Sequence, residues 1–226
     1  MTVLAHQLTH PAVVGIEASA QTPLHHLLGL VQHAESSGLT QFWVTGAQAP
    51  AVAARLGRLT RLTVGAQVSA PLLAGLDGAA EAARDAGSLL AISGGKAELG
   101  VENPEAAARL QRQLSARPVA TAHRFGGDFF TVAPGQERED GVGFTVTVRS
   151  ARDLQRLAGQ VSTIRVEAGS ASDATRLVRT ARSSRPSVTI IVAVPVDEDF
   201  TAWPIADGIL LVGVAHVAEF EGALAA

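Results

Sequence analysis

Two short stretches combine groups that can bind an anion. Arg149, Ser150 and Arg152 surround the predicted start of a helix, directly after a predicted strand. Backbone N–H groups at a helix start and guanidinium groups both attract negative charge, so this stretch is a candidate phosphate site. The turn Gly169–Ser172 leads into another predicted helix and is a second candidate. In both places a serine could instead act only as a helix cap.

Carboxylates at predicted strand ends suggest a different chemistry. Glu17, Glu102 and Glu167 each end a different predicted strand. Two carboxylates that face each other across a site can hydrolyse a glycosidic bond. Only Trp43 and Trp203 are available as tryptophans to bind sugar rings, which argues against this alternative.

Metal and nucleophile motifs give little support to other chemistries. His6 and His10 could ligate a metal, but no carboxylate lies between them, and we interpret both as surface residues. The chain contains neither a Gly-x-Ser-x-Gly elbow nor a phosphate-binding P-loop.

The elements that must position these residues alternate between strands and helices. Eight segments are predicted as strands: Val13–Ser19, Gln41–Thr45, Arg61–Ser69, Lys96–Val101, Phe144–Val148, Ser162–Glu167, Val188–Val194 and Asp207–Val212. Helical patterns separate most of them, and helices are predicted at 24–37, Pro50–Leu59, Ala79–Ile92, from Pro104 to about Leu114, Ala151–Leu157, Ser172–Ser183 and Ala215–Leu224. This alternation is typical of a parallel sheet, and eight strands are the number that closes a compact α/β (β/α)8 TIM barrel. We therefore predict one domain over residues 1–226.

In such a barrel the working groups lie at the carboxyl ends of the strands. The residues predicted there are polar but include no histidine: Glu17, Ser19, Thr45, Gln67, Ser69, Glu102, Asn103, Arg149, Ser150, Glu167, Asp197 and Gly213. A phenylalanine-rich stretch, His123–Gln136, is predicted to form a hairpin. It is either a lid at the barrel mouth or an ordinary apolar hairpin over the core.

Several motifs resemble the luciferase-like flavin monooxygenase family. The stretch Ala86–Glu102 contains Ile92-Ser93-Gly94-Gly95-Lys96, which is similar to a turn of that family, and Leu99-Gly100-Val101-Glu102, which is similar to its fourth strand. Similar matches occur at residues 33–44, at Thr60–Gly65 and at Ala206–Leu210. The order of these motifs along the chain supports the resemblance more strongly than any one of them does.

The resemblance implies a flavin-dependent oxidoreductase or monooxygenase that uses FMN or F420. It implies a small organic substrate, a flavin reductase as a possible partner, and a homodimer formed by the outer helices Pro50–Leu59 and Ala79–Ile92. The family often anchors the flavin phosphate after its fifth strand, a position that corresponds here to Val148–Arg152, although the family's glycine is missing. The candidate cofactor-binding residues are Glu17, Gln67, Ser69, Glu102, Arg149, Ser150 and Arg152. No catalytic residue is assigned, and the alternative is a non-catalytic member that stores flavin or serves as a partner subunit.

Composition excludes several other classes. The chain of 226 residues is 47% hydrophobic, which is enough for a sizeable core, and its net charge of -3 offers no broad basic face for nucleic acid. There is no cysteine for disulfide or thiolate chemistry and no tyrosine to act as a proton donor. No apolar run reaches the ~18 residues of a membrane span, and no secretory signal is recognisable. We therefore expect a soluble cytoplasmic protein that contacts neither membrane nor nucleic acid.

Overall fold

Eight parallel strands close into a barrel in the computed structural model. The model describes residues 13–68, 97–108, 123–125, 128–130, 144–157, 161–204 and 206–225. The strands are β1 (Val13–Ser19), β2 (Gln41–Thr45), β3 (Thr63–Val68), β4 (Ala97–Val101), β5 (His123–Phe125), β6 (Asp128–Phe130), β7 (Phe144–Val148), β8 (Val161–Glu167), β9 (Thr189–Pro195) and β10 (Gly208–Val212). Around the barrel the order is β1-β10-β9-β8-β7-β4-β3-β2, and every neighbouring pair is parallel.

Helices follow most of the barrel strands. They are α1 (Leu24–Ser36), α2 (Ala49–Gly57), α3 (Ala151–Arg156), α4 (Ala171–Ser184) and α5 (Val217–Ala225), with a helical segment at 104–108 and a 3-10 helix at Phe200–Ala202. The predicted TIM barrel is thus confirmed. The predicted bounds of β1, β2 and β7 agree with the structure. The other barrel strands differ from the predicted bounds by one or two residues, at one end or at both.

Local signals explain where one helical segment begins and where another helix ends. The backbone N–H of Ala106 donates to Asn103 Oδ1 over 2.8 Å, so Asn103 caps the segment 104–108. Gly38 follows α1 with a φ of 79°, a left-handed conformation that glycine adopts without strain. Pro23 occupies the N-cap position of α1, and no side-chain hydrogen bond caps this helix.

A hairpin forms from β5 and β6, which pair antiparallel apart from the barrel. This confirms the hairpin expected within His123–Gln136, while its role as a lid stays a prediction. Other predictions fall on His6, His10, Ser69 and the helix Ala79–Ile92, which lie outside the described residues.

One large side chain fills part of the barrel interior. Residues of β2 alternate, so that Phe42 and Val44 pack toward the surrounding helices while Trp43 packs inside against Ile191 and Leu210. A methyl group at Gly65 would lie 2.6 Å from Trp43 Cε2, and one at Gly100 would lie 2.8 Å from Trp43 Cζ3. The indole therefore occupies the space that side chains on β3 and β4 would otherwise need.

This packing predicts that Gly65→Ala destabilises the protein. The added methyl overlaps the buried indole, and overpacking of this kind costs about 1–3 kcal/mol. Gly29→Ala in α1 is the matched control, because a methyl there meets no atom within 4 Å and alanine favours a helix by roughly 0.5–1 kcal/mol. Urea denaturation should show opposite changes in unfolding free energy. Equal stability of Gly65→Ala and the unaltered protein would contradict the packing of Trp43.

Candidate functional site

A buried ion pair crosses the barrel near its carboxyl-end mouth. Arg165 on β8 forms two contacts with Glu17 on β1, Nη2 to Oε1 over 3.2 Å and Nη1 to Oε2. The strands β10 and β9 lie between β1 and β8, so the pair spans the interior rather than joining neighbouring strands. Only 4% of Arg165 and 6% of Glu17 are exposed. The predicted site residue Glu17 is thus brought to the centre of the mouth.

Glu167 extends this pair toward the solvent. Its Oε1 lies 2.7 Å from Arg165 Nη2, and its Oε2 accepts from Arg149 Nε over 2.9 Å and lies 2.6 Å from Arg149 Nη2. Arg149 Nη1 also donates to the backbone oxygen of Glu102 over 3.4 Å. Two guanidinium groups and two carboxylates therefore form one neutral chain of contacts, the mouth network of Glu17, Arg165, Glu167 and Arg149.

Burial and charge act in opposite directions on Arg165. Burial alone would lower the pKa of its guanidinium, but the nearby carboxylates of Glu17 and Glu167 more than offset burial and raise the pKa. The guanidinium therefore stays charged. Removing either Glu17 or Arg165 would leave the other charge of this buried pair without the partner that faces it. The loss of one partner of such a pair costs about 3–5 kcal/mol.

Gln67 lies on the same interior wall as Arg165. Its Nε2 donates to Thr147 Oγ1 over 3.1 Å, reaching past Gly100, which has no side chain. Gln67 Oε1 and Arg165 Nε are both buried, and neither has a hydrogen-bond partner among the residues that the structure describes. A buried polar atom without a partner costs about 1–3 kcal/mol, so these two atoms require an explanation.

Both candidate helix starts already carry a carboxylate. Ser150 Oγ accepts from the N–H of Asp153 over 3.2 Å, and Asp153 Oδ2 accepts from Ser150 Oγ and from the N–H of Arg149. Ser170 and Asp173 repeat this arrangement at the start of α4. The geometry matches the capping interpretation of both serines. Arg152 is exposed on α3 and lies beside the cap that Ser150 forms.

The arrangement does not match glycoside hydrolysis. Glu17 and Glu167 both accept from Arg165 and thus do not face a sugar site as an acid and a base. Trp43 is buried inside the barrel and Trp203 packs in the core cluster, so neither offers a ring at the mouth. Among the residues with described positions, no group of three or more His, Cys, Asp or Glu could hold a metal ion. No described helix has the length and hydropathy needed to cross a membrane.

Sequence reasoning missed Arg165, although the signal was present. An arginine inside β8, between the apolar residues Ile164 and Val166, sits two residues before Glu167, so both side chains point to the same face of the strand. Glu98 on β4 was also missed. Its Oε2 accepts from Thr145 Oγ1 over 3.2 Å. Burial raises the pKa of the Glu98 carboxyl above its ordinary value, and the hydrogen bond from Thr145 lowers it in part.

Comparison with solved structures connects this barrel to flavin enzymes. No protein family model matches the chain, and no curated protein matches it in sequence. The F420-dependent tetrahydromethanopterin reductase of Methanopyrus kandleri has a TM-score of 0.56 and 16% identity, over 80% of this chain and 65% of that one. Riboflavin lyase with a modified FMN has a TM-score of 0.58 and 14% identity, over 81% and 62%. Several monooxygenases are also similar.

These likenesses establish the fold. The chain spans slightly less than two thirds of the length of the reductase and the lyase. The alpha subunit of tryptophan synthase from Legionella pneumophila matches with a TM-score of 0.54 and 9% identity, over 89% of this chain and 80% of that one. The expected barrel fold is therefore confirmed, and the site must be argued from its own residues.

The raised pKa of Glu98 predicts a pH-dependent effect of Glu98→Gln. Because the folded pKa lies above the unfolded value, ionisation destabilises the fold, and the wild type loses stability as pH rises through the folded pKa. Glutamine stays neutral and keeps an acceptor for Thr145. The variant should match the wild type below the ordinary pKa of 4.5 and be more stable at pH 7 in urea denaturation. Glu105→Gln is the control, because Glu105 is the exposed residue of the segment 104–108. A stability difference that is independent of pH would contradict the assignment.

Proposed function

We propose that this protein is a flavin-dependent oxidoreductase or monooxygenase that uses FMN or F420 and acts on a small organic substrate. The observation that carries the proposal is a polar mouth network with two arginines, at the carboxyl end of a barrel whose similar structures include an F420-dependent reductase and an FMN-containing lyase. The carboxyl end is where barrel enzymes bind their ligands.

Two features of the described residues fit such a cofactor. The unpartnered atoms Gln67 Oε1 and Arg165 Nε are polar groups that a bound ring could satisfy. Arg149 lies at the rim with 54% of its side chain exposed and can meet a phosphate. We propose Glu17, Gln67, Ser69, Glu102, Arg149, Ser150 and Arg152 as the surroundings of the cofactor, with Glu17 acting through Arg165.

A bound flavin would supply hydride or electron transfer, or oxygen chemistry after reduction. The chain's own residues would orient it and exclude water. Arg149 would hold the phosphate, and Glu17 and Glu167 would keep the Arg165 guanidinium in place. A flavin reductase is the partner that a monooxygenase of this type would need.

A second candidate function is a non-catalytic barrel that stores flavin or serves as a partner subunit. The specific observation in its favour is that Asp153 and Asp173 occupy the two helix starts and Glu167 already neutralises Arg149. The two functions differ in one measurement. A catalytic protein speeds the oxidation of bound reduced FMN by oxygen, or of bound reduced F420 by an added organic acceptor, whereas a storage protein or subunit binds the cofactor and speeds neither reaction.

The same proposal includes the assembly of the protein as a homodimer. It also includes a single domain over residues 1–226 and a location in the cytoplasm. In α2, Ala49, Ala53 and Ala54 are buried against the protein's own barrel, so the exposed side of this helix, with Arg55, would face a second copy. Light scattering at micromolar concentration should give the mass of two chains. A monomer mass would contradict the dimer without affecting the barrel.

If flavin binds, Arg149→Ala should weaken FMN selectively. A charge-assisted hydrogen bond is worth roughly 1.5–3 kcal/mol, so the affinity for FMN should fall about ten- to a hundredfold, while riboflavin, which lacks the phosphate, should be unaffected. Quenching of flavin fluorescence measures both, and F420 is titrated in parallel. Arg156→Ala, at the last residue of α3, is the control, since Arg156 contacts Glu105 instead of the mouth network. Equal losses for FMN and riboflavin would place Arg149 at the ring or in the fold. No binding of FMN or F420 by the unaltered protein would overturn the proposed function.

A further inference from the structure

Two unpartnered buried atoms lie on one wall of the barrel. The strands β3, β4, β7 and β8 are consecutive neighbours. Gln67 on β3 reaches over Gly100 to Thr147, and Thr147 is the register partner of Arg165. Gln67 Oε1, an acceptor, and Arg165 Nε, a donor, are therefore carried by side chains that adjoin through Thr147.

Neither atom is free to find another partner within the described protein. The Nη atoms of Arg165 are held by Glu17 and Glu167, which fixes the orientation of Nε–H. The amide of Gln67 is fixed by its bond to Thr147 and by its contact with Gly100. Both side chains are more than nine-tenths buried. The wall therefore presents an oriented acceptor and an oriented donor with nothing to bind.

An acceptor beside a donor is complementary to a ligand edge that offers a donor beside an acceptor. The pyrimidine edge of a flavin or deazaflavin ring has this form, with an N3–H flanked by two carbonyl groups. Resting on the proposed function, we propose that Gln67 and Arg165 read this edge of the ring: Gln67 Oε1 accepts from N3–H, and Arg165 Nε donates to an adjacent carbonyl. The structure thus assigns recognition of the pyrimidine edge to Gln67 and to Arg165, whose guanidinium is held in place by the ion pair with Glu17.

The test uses two phosphate-free probes, lumiflavin and 3-methyllumiflavin, which differ only in the N3–H. The unaltered protein should bind lumiflavin about tenfold more tightly, because the methylated ring leaves Gln67 Oε1 unpaired. Gln67→Leu should weaken lumiflavin about tenfold and leave 3-methyllumiflavin unchanged, so that the variant no longer distinguishes the two rings. Fluorescence quenching gives all four affinities as a double-mutant cycle.

Gln41→Leu is the matched control. Gln41 also lies on a barrel strand, but its Oε1 already accepts from Trp43 Nε1 over 3.0 Å, so its loss should not change the preference for lumiflavin. The two-probe comparison on the unaltered protein does not depend on any variant folding. Arg165 is left intact because its removal would leave Glu17 buried without a partner.

The outcomes separate this inference from the proposed function. Equal affinities for the two probes, or the same preference in Gln67→Leu as in the unaltered protein, overturn the assignment of Gln67. If FMN binds through its phosphate and neither lumiflavin probe binds, the ring-edge assignment is wrong and the flavin function stands. If neither FMN, F420 nor lumiflavin binds, both are wrong.

Discussion

The ion pair between Arg165 and Glu17 is the contact around which the mouth is arranged. A buried guanidinium is tolerated only with a carboxylate in contact, and Glu17 supplies it from β1, three strands away around the barrel. The remaining N–H groups then draw in Glu167, which in turn holds Arg149 at the rim. One buried charge thus sets the positions of three other side chains, Glu17 on β1, Glu167 on β8 itself and Arg149 directly after β7.

Much of the barrel was predictable from sequence, because its signals are local. Apolar runs such as Phe144–Val148, and the Asn103-Pro104 helix start, depend only on neighbouring residues. The mouth was less predictable because it depends on which strands face each other after closure. Nothing near Glu17 indicates that its partner lies 148 positions away. The role of Ser150 was ambiguous for another reason. The sequence shows Asp153 three residues after Ser150, but only the structure shows that the Asp153 carboxylate occupies the helix start where an external anion would otherwise bind.

Asp207 shows how a family-like motif can reflect the fold rather than chemistry. It precedes β10, at the end of the barrel opposite the mouth, where its Oδ2 accepts from the N–H of Ile190 and from Arg182, each over 2.7 Å. These contacts lower the pKa of Asp207 although partial burial acts to raise it. The next residue, Gly208, leaves room for Val14, which a side chain would displace. The resemblance at Ala206–Leu210 therefore belongs to barrel closure, and it is compatible with either a flavin enzyme or a non-catalytic relative.

The packing of Trp43 against two glycines also limits the order in which this barrel can change in evolution. Any residue larger than glycine at position 65 meets the indole, so such a substitution becomes acceptable only after position 43 has lost its large ring. At position 100 a side chain would meet Gln67 as well as the indole, so both of these residues would have to change first. The reverse order, with the ring lost first, passes through a protein with a cavity but no clash, which cores tolerate at a graded cost. Descendants of this chain with a wider interior would therefore have begun by changing Trp43, before the neighbouring strands acquired side chains.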